Sequence, residues 1–339
     1  MTTKTYQFSQ KQTTFYFDAA FAYLEKIIGD SHAIIVTDEN VFRHHKKKFS
    51  TWKTIVLKAG EVHKQQSTVD HLLEQLITAG ADRKTLVIGV GGGVVTDMTG
   101  YAASVYMRSI RFGFVPTTVL GMVDAAIGGK NGVDVGVYKN LVGTINQPEF
   151  ILYDVSILKS LPANEWVNGF AEIIKHACIK DAAMFKQLME HKISDYKKNG
   201  KLMSALIRRN AMIKAAVVKA DEFEQGERRL LNFGHTLGHA IENLYGLSHG
   251  EAIAVGMVAA SVFSETLTGF KATAKVIEAF EQYGLPTNAA FDKSDVFKML
   301  QMDKKKERLG INYVLLEKIG KGVVKRMPIS ELEKFIQQV

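Results

Sequence analysis

One glutamate and three histidines in the middle of the chain have the residue types of a divalent-metal site. They are Glu172 in Asn-Gly-Phe-Ala-Glu-Ile-Ile-Lys, His235 and His239 in Leu-Leu-Asn-Phe-Gly-His-Thr-Leu-Gly-His, and His249 in Ser-His-Gly-Glu. Imidazole and carboxylate ligands can hold such an ion with one position open for substrate. On a helix, His235 and His239 share a face at i,i+4, as Glu172 and Lys175 do at i,i+3. His176 competes as a ligand, and a hydrogen-bonded structural histidine is the plain alternative for each imidazole taken singly. Thr236 follows His235, so the glutamate that a metalloprotease helix needs is missing.

A second constellation is suited to anions. Gly91-Gly92-Gly93 follows the apolar run Thr85 to Val90 and would let backbone approach a phosphate, with a helix aiming its N–H groups at it. The spacing is not G-x-G-x-x-G, so a simple strand-to-helix turn is the other reading. Asp97, one turn on, would orient a ribose or favour the helix start. Asp38 and Asn40, and Glu61 with Lys64, each end a strand-like run and read either as ribose contacts or as polar loop. Thr117-Thr118, Asp124, Gly128-Gly129-Lys130 and Lys139-Asn140 form a second oxyanion-friendly stretch, and Lys214, Arg228 and Asn232 add charge and hydrogen bonds. A metal and a nucleotide together point to redox chemistry on a hydroxyl group.

The elements that must carry these groups follow from periodicity. Ala33 to Thr37, Ile55 to Leu57, Thr85 to Val90, Phe112 to Val115 and Phe150 to Tyr153 read as strands, and the spacing of Val69, Leu72, Leu73, Leu76 and Ile77 predicts a helix over Ser67 to Ala79. Such alternation predicts an α/β fold with an N-terminal Rossmann-like parallel sheet domain, residues 1–156. Helical patterns then dominate: Glu165 to Cys178, with Asn164 as the expected N-cap, Leu202 to Lys219, His235 to Leu244, Gly250 to Leu267 and Ala272 to Tyr283. A hairpin over Tyr313 to Lys325 and a last helix from Ser330 complete a mainly α-helical metal- and substrate-binding domain, residues 157–339. A ligand is expected in a cleft between such domains.

Composition narrows the classes. The 339 residues are 46% hydrophobic and 23% charged, enough for a core and too apolar for disorder. Cys178 is the single cysteine, which excludes an internal disulfide framework and fits a reducing cytoplasm. The polar start and the short, alanine-rich run Ala252 to Phe263 argue against a signal peptide and a membrane span. The net charge of +8 fits a small polyanionic substrate better than nucleic acid, because basic residues fall inside the glycine-rich motifs and no nucleic-acid motif accompanies them.

Taken in order, the motifs resemble the 3-dehydroquinate synthase family of sugar-phosphate cyclases along nearly the whole chain. The match runs through Gly91 to Asp97, Tyr106-Met107-Arg108, Val115 to Thr118, Val123-Asp124 to Lys130, Lys139-Asn140, Phe170 to Lys175, Leu231 to His239 and His249-Gly250-Glu251. The resemblance implies a homodimer with NAD and a divalent metal, zinc or cobalt, acting on 3-deoxy-D-arabino-heptulosonate 7-phosphate. It implies that Glu172, His235 and His249 ligate the metal and that His239 transfers protons or hydrogen-bonds. Lys130, Asn140, Lys175, Lys214, Arg228 and Asn232 would bind substrate. Arg108 would reach the phosphate from the neighbouring subunit, and Lys304 or Lys305 would supply a further substrate lysine. Asp38, Asn40, Glu61, Lys64, Gly92, Gly93, Asp97, Thr117, Thr118, Asp124 and Lys139 would contact NAD.

The chain departs from the family pattern where Thr96, Ser109 and Tyr138 stand in place of the commoner Gly, Asn131 in place of Thr and Asp134 in place of Asn. Asp134 adds a negative charge near an expected anion site. Three other readings compete. A sister cyclase for another sugar phosphate tends to alter the positions held here by Arg228, Asn232 and His239. A metal-dependent alcohol or glycerol dehydrogenase would not need Arg108 and Lys130, and a basic nucleic-acid binder would leave the motifs unexplained.

Overall fold

Each β-branched run of the first third becomes a strand of one sheet. The structure, a computed structural model, describes residues 1–136, 138–304 and 310–337. The chain forms two compact units, Met1–Glu165 with Asn199–Glu222, and Trp166–Lys198 with Phe223–Val339.

In the first unit the strands are β1 (Thr2–Gln7), β2 (Gln12–Phe17), β3 (Ala33–Asp38), β4 (Lys53–Leu57), β5 (Leu86–Gly91), β6 (Arg111–Pro116), β7 (Lys130–Val135), β8 (Tyr138–Ile145) and β9 (Phe150–Leu152). Seven of them make a sheet in the order β1-β2-β9-β6-β5-β3-β4. All neighbours run parallel except β1, which pairs antiparallel with β2 at the edge. β5 is buried along its whole length, which is why it reads as an unbroken apolar run. Ile35, Ile88, Val90, Val115 and Leu152 meet Leu24 and Ile28 in a core. The polar strands β1 and β2, and the hairpin β7-β8, carry no such signal and were not expected.

Registers Thr37↔Val90 and Gly91↔Pro116 bring the carboxyl ends of β3, β5 and β6 side by side. In a doubly wound sheet this edge is where ligands bind.

The second unit is mainly helical. Its helices are Ala163–Lys180, which begins in the first unit, Ala182–Met189, Ile193–Lys198, His235–Tyr245, His249–Thr268, Thr273–Gln282, Lys293–Lys304 and Ile329–Ile336, and its hairpin is β10 (Ile311–Lys318) with β11 (Lys321–Met327). By composition His249–Thr268 is apolar enough to cross a membrane, but 72% of its most apolar stretch is buried inside the fold, as in a core helix.

Two expectations need correction. A single boundary at 156/157 does not describe these units, because the chain returns to the first for Asn199–Glu222. The returning helix Gly200–Ala220 is tied to it by Lys214 Nζ, 2.7 Å from Asp124 Oδ1, and by Ser204 Oγ, which donates to Asp18. Asn164 also does not cap its helix: the helix starts at Ala163, which puts Asn164 in the first turn.

Candidate functional site

Glu172, His235 and His249 converge in the second unit, with one ligand atom from each lying within 4.8 Å of the others. His235 Nε2 is 3.5 Å and His249 Nε2 3.4 Å from the same oxygen, Glu172 Oε1. The opposite ring nitrogens are engaged. His235 Nδ1 lies 3.1 Å from Phe233 O and His249 Nδ1 3.3 Å from Glu242 Oε2. Carbonyl and carboxylate oxygens only accept, so both Nδ1 atoms donate, and the Nε2 atoms are the ones aimed at Glu172.

Glycine makes this convergence possible. Gly234 precedes His235 at φ 80°, and a Cβ there would lie 2.3 Å from Met257 Cγ, while one at Gly256 would lie 2.0 Å from Gly234 O. The helices His235–Tyr245 and His249–Thr268 therefore touch backbone to backbone. Glu251 Oε2 accepts from Ser248 N and Oγ at 2.9 and 2.6 Å, which starts the second helix so that His249 stands in its first turn. Asn168 Oδ1 accepts from Gly250 N at 2.8 Å and ties that turn to the helix carrying Glu172.

The electrostatics suit a cation. Glu172 is fully buried and pairs with the buried Lys175 one turn along. Burial, and then the Lys175 ammonium, push the His235 imidazole well below its usual pKa, so it stays neutral as a metal ligand must. Burial also acts downward on His249, but its hydrogen bonds to Glu172 and Glu242 outweigh that and hold it up at about 9, so this ring favours a proton that a metal ion bound here would have to displace. His239 is exposed, with its ring centroid 5.0 Å from that of His235, and groups with Glu242 and His249 rather than with Glu172. His176 is fully buried on the Glu172 helix. Arg228 is buried on the turn before His235, and Asn232 Nδ2 donates to Glu224 Oε1. Lys305 and the side chain of Lys304 lie outside the described residues.

In the first unit the expected cofactor residues gather at the sheet's carboxyl edge. Gly92 precedes the helix Gly93–Val105, and a Cβ at Gly91 would lie 2.4 Å from Val95 Cβ, so the turn needs glycine for packing as well. Asp38 Oδ1 accepts from Asn40 N and Val41 N at 2.9 Å each, which makes it a helix N-cap. Asn40 Oδ1 accepts from Arg43. Thr117 is buried beside Gly91, its N–H donating to Gly91 O, and Thr118 Oγ1 accepts from Gly121 N. Lys64 Nζ lies 2.6 Å from both Asp97 Oδ2 and Asn140 Oδ1, and Lys139 Nζ is 3.5 Å from Glu61 Oε1. Burial disfavours the Lys64 ammonium, but Asp97, Glu61 and Asp134 outweigh it and raise its pKa. Lys130 follows Gly128 and Gly129, both at positive φ, and Arg108 is exposed.

The departures have local causes. Thr96 Oγ1 donates to Gly93 O at 3.0 Å, and Asn131 Nδ2 donates to Gly129 O and Asn146 O across the base of β7-β8. Ser109 ends a run of three positive-φ residues at φ 93°, which explains the commoner glycine, while Tyr138 is exposed. Sequence reasoning missed Glu242, Asn168 and Glu224, whose contacts come from separate segments; only the Ser248–Glu251 capping box left a readable spacing.

Comparison with known proteins gives the same picture for both units. Residues 54–168 match the 3-dehydroquinate synthase N-terminal family model and residues 169–306 the C-terminal one. A curated 3-dehydroquinate synthase from Pyrococcus abyssi (strain GE5 / Orsay) is 41% identical over 287 residues, 84% of this chain and 85% of that one. Among solved structures, a 2-deoxy-scyllo-inosose synthase complexed with carbaglucose-6-phosphate, NAD+ and Co2+ is 25% identical with a TM-score of 0.86, covering 99% of each chain. A 2-epi-5-epi-valiolone synthase from Streptomyces hygroscopicus subsp. jinggangensis 5008, with NAD+ and Zn2+ bound, is 26% identical with a TM-score of 0.87, covering 99% of this chain and 98% of that one.

Proposed function

The chain belongs to the 3-dehydroquinate synthase family, and we propose that it converts 3-deoxy-D-arabino-heptulosonate 7-phosphate to 3-dehydroquinate and phosphate with NAD and a divalent metal, zinc or cobalt. The observation that carries this is the convergence of two Nε2 atoms on one buried carboxylate oxygen. Three protein ligands of this kind leave a position open, as in catalytic metal sites. NAD fits the glycine turn at the carboxyl edge of β3, β5 and β6. Held by Glu172, His235 and His249, a metal would supply acidification of a substrate hydroxyl, and NAD at the glycine turn would supply reversible hydride acceptance.

The chain's own groups have separate tasks. Lys175 balances the charge of Glu172, both side chains being buried. Arg228, buried and planar, suits bidentate contact with a carboxylate or phosphate. Asn232 is a neutral hydrogen-bonding partner for substrate, and His239, exposed beside His235, is assigned to proton transfer. In the first unit Lys130, Asn140 and Lys214 are assigned to substrate and Arg108 to its phosphate. Asp97, Lys64 and Thr118 stand with the other strand-end residues on the cofactor side.

The test is phosphate release from the heptulosonate phosphate by protein supplied with NAD+ and Zn2+ or Co2+. Dehydroquinate with no net NADH supports the reading. Turnover only with sedoheptulose 7-phosphate or glucose 6-phosphate assigns a sister cyclase, and stoichiometric NADH from a simple alcohol assigns a dehydrogenase. We also propose a cytoplasmic homodimer, supported by the exposed Leu141, Val142 and Ile145 along β8. Light scattering that finds a monomer at assay concentration overturns the dimer.

A further inference from the structure

Asp134, the charge that looked out of place beside anion-binding residues, closes a ring of three hydrogen bonds. Its N–H donates to Lys64 O at 2.9 Å, Lys64 Nζ donates to Asn140 Oδ1 at 2.6 Å, and Asn140 N–H donates back to Asp134 Oδ1 at 2.7 Å. The ring joins the turn after β4 to both strands of the β7-β8 hairpin. Asn140 sits at φ 53°, in the left-handed region where a non-glycine residue persists only if its surroundings hold it. A charged acceptor on its N–H is the strongest hydrogen bond available for that purpose. The conformation it holds turns the Asn140 side-chain oxygen to Lys64, whose ammonium also reaches Asp97 Oδ2 at 2.6 Å.

We propose that Asp134 is a positioning residue: its carboxylate holds the Asn140 backbone and thereby aims the Asn140 amide and the Lys64 ammonium. Its consequence for turnover rests on the assignment of those two groups to substrate and cofactor. The ring itself does not.

The test compares Asp134→Ala, Asp134→Asn, Asn140→Ala and the double variant Asp134→Ala/Asn140→Ala, each supplied with NAD+ and Zn2+. Asp134→Ala is expected to lose about tenfold in hydrogen-exchange protection of the Asn140 amide, and to raise KM for the heptulosonate phosphate by a similar factor with a smaller change in kcat. Tenfold corresponds to about 1.4 kcal/mol, just below the roughly 1.5–3 kcal/mol of a hydrogen bond to a charged group. Asp134→Asn keeps an acceptor oxygen and should recover most of both. In the double variant the Asp134→Ala effect on KM should vanish, because the group it positions is gone. Unchanged protection of the Asn140 amide in Asp134→Ala, or effects of the two alanines that simply add, overturns the proposal. Wild-type protein that turns over no heptulosonate phosphate overturns the function instead, and amide exchange then decides the ring alone.

Discussion

The Nδ1 atom of His249 lies 3.3 Å from Glu242 Oε2. That contact fixes which nitrogen of the ring can face Glu172, and it comes from a helix that precedes His249 in the chain. Outer carboxylates of this kind are typically worth about 10–100-fold in metal affinity. Glu242→Ala should weaken Zn2+ binding by that order in a chelator competition, and Glu242→Gln, which can still accept the bond, should lose less. Equal affinities in all three proteins would show that His249 is oriented by packing alone.

The two other histidines should separate. His235 belongs to the group around Glu172, and His239 does not. His235→Ala is expected to abolish metal retention and turnover together, whereas His239→Ala should keep its metal while kcat falls, by about 10²–10⁴-fold if it moves a proton. Metal content by elemental analysis, set beside phosphate release, reads both. Full metal content in His235→Ala removes it from the ligand set.

Ser109 carries backbone strain that its side chain does not repay. It sits at φ 93°, and among the described residues its Oγ has one hydrogen-bond contact, 3.4 Å from Asn146 Nδ2. Ser109→Gly should raise stability by about 1 kcal/mol and the melting temperature by roughly 2 °C. A lower melting temperature would mean that the Asn146 contact outweighs the strain.

Cys178 is buried in the helix that carries Glu172, and burial raises its thiol pKa, so the reactive thiolate is scarce in the folded protein. Alkylation by iodoacetamide near neutral pH should therefore be slow and should accelerate in step with unfolding by urea. Rapid labelling without denaturant would show that this helix opens locally.

Much of the site was legible because its chemistry needs rare residue types at fixed local spacings. Glu172 and Lys175 share one helix face, as their i,i+3 separation predicts, and the structure adds that they pair there. The strands β3, β5 and β6 were readable because a strand buried on both faces is an unbroken apolar run. β1 and β8 lie at exposed positions and bear mixed residues, so they showed no pattern until their partners were in place.

What no periodicity could supply was long-range pairing. The sequence by itself determined the candidate ligand types and the glycine turn, each written within a single segment, and it implied the parallel sheet through the alternation of strand and helix patterns. Folding decided that Glu172 meets His235 and His249 across 60 or more residues, that Glu242 orients one of those rings, that Gly200–Ala220 returns to the sheet, and that Asp134 holds Asn140. Those contacts depend on which backbones approach closely enough, at Gly234 and Gly256 above all, and that is a property of packed surfaces rather than of any one segment.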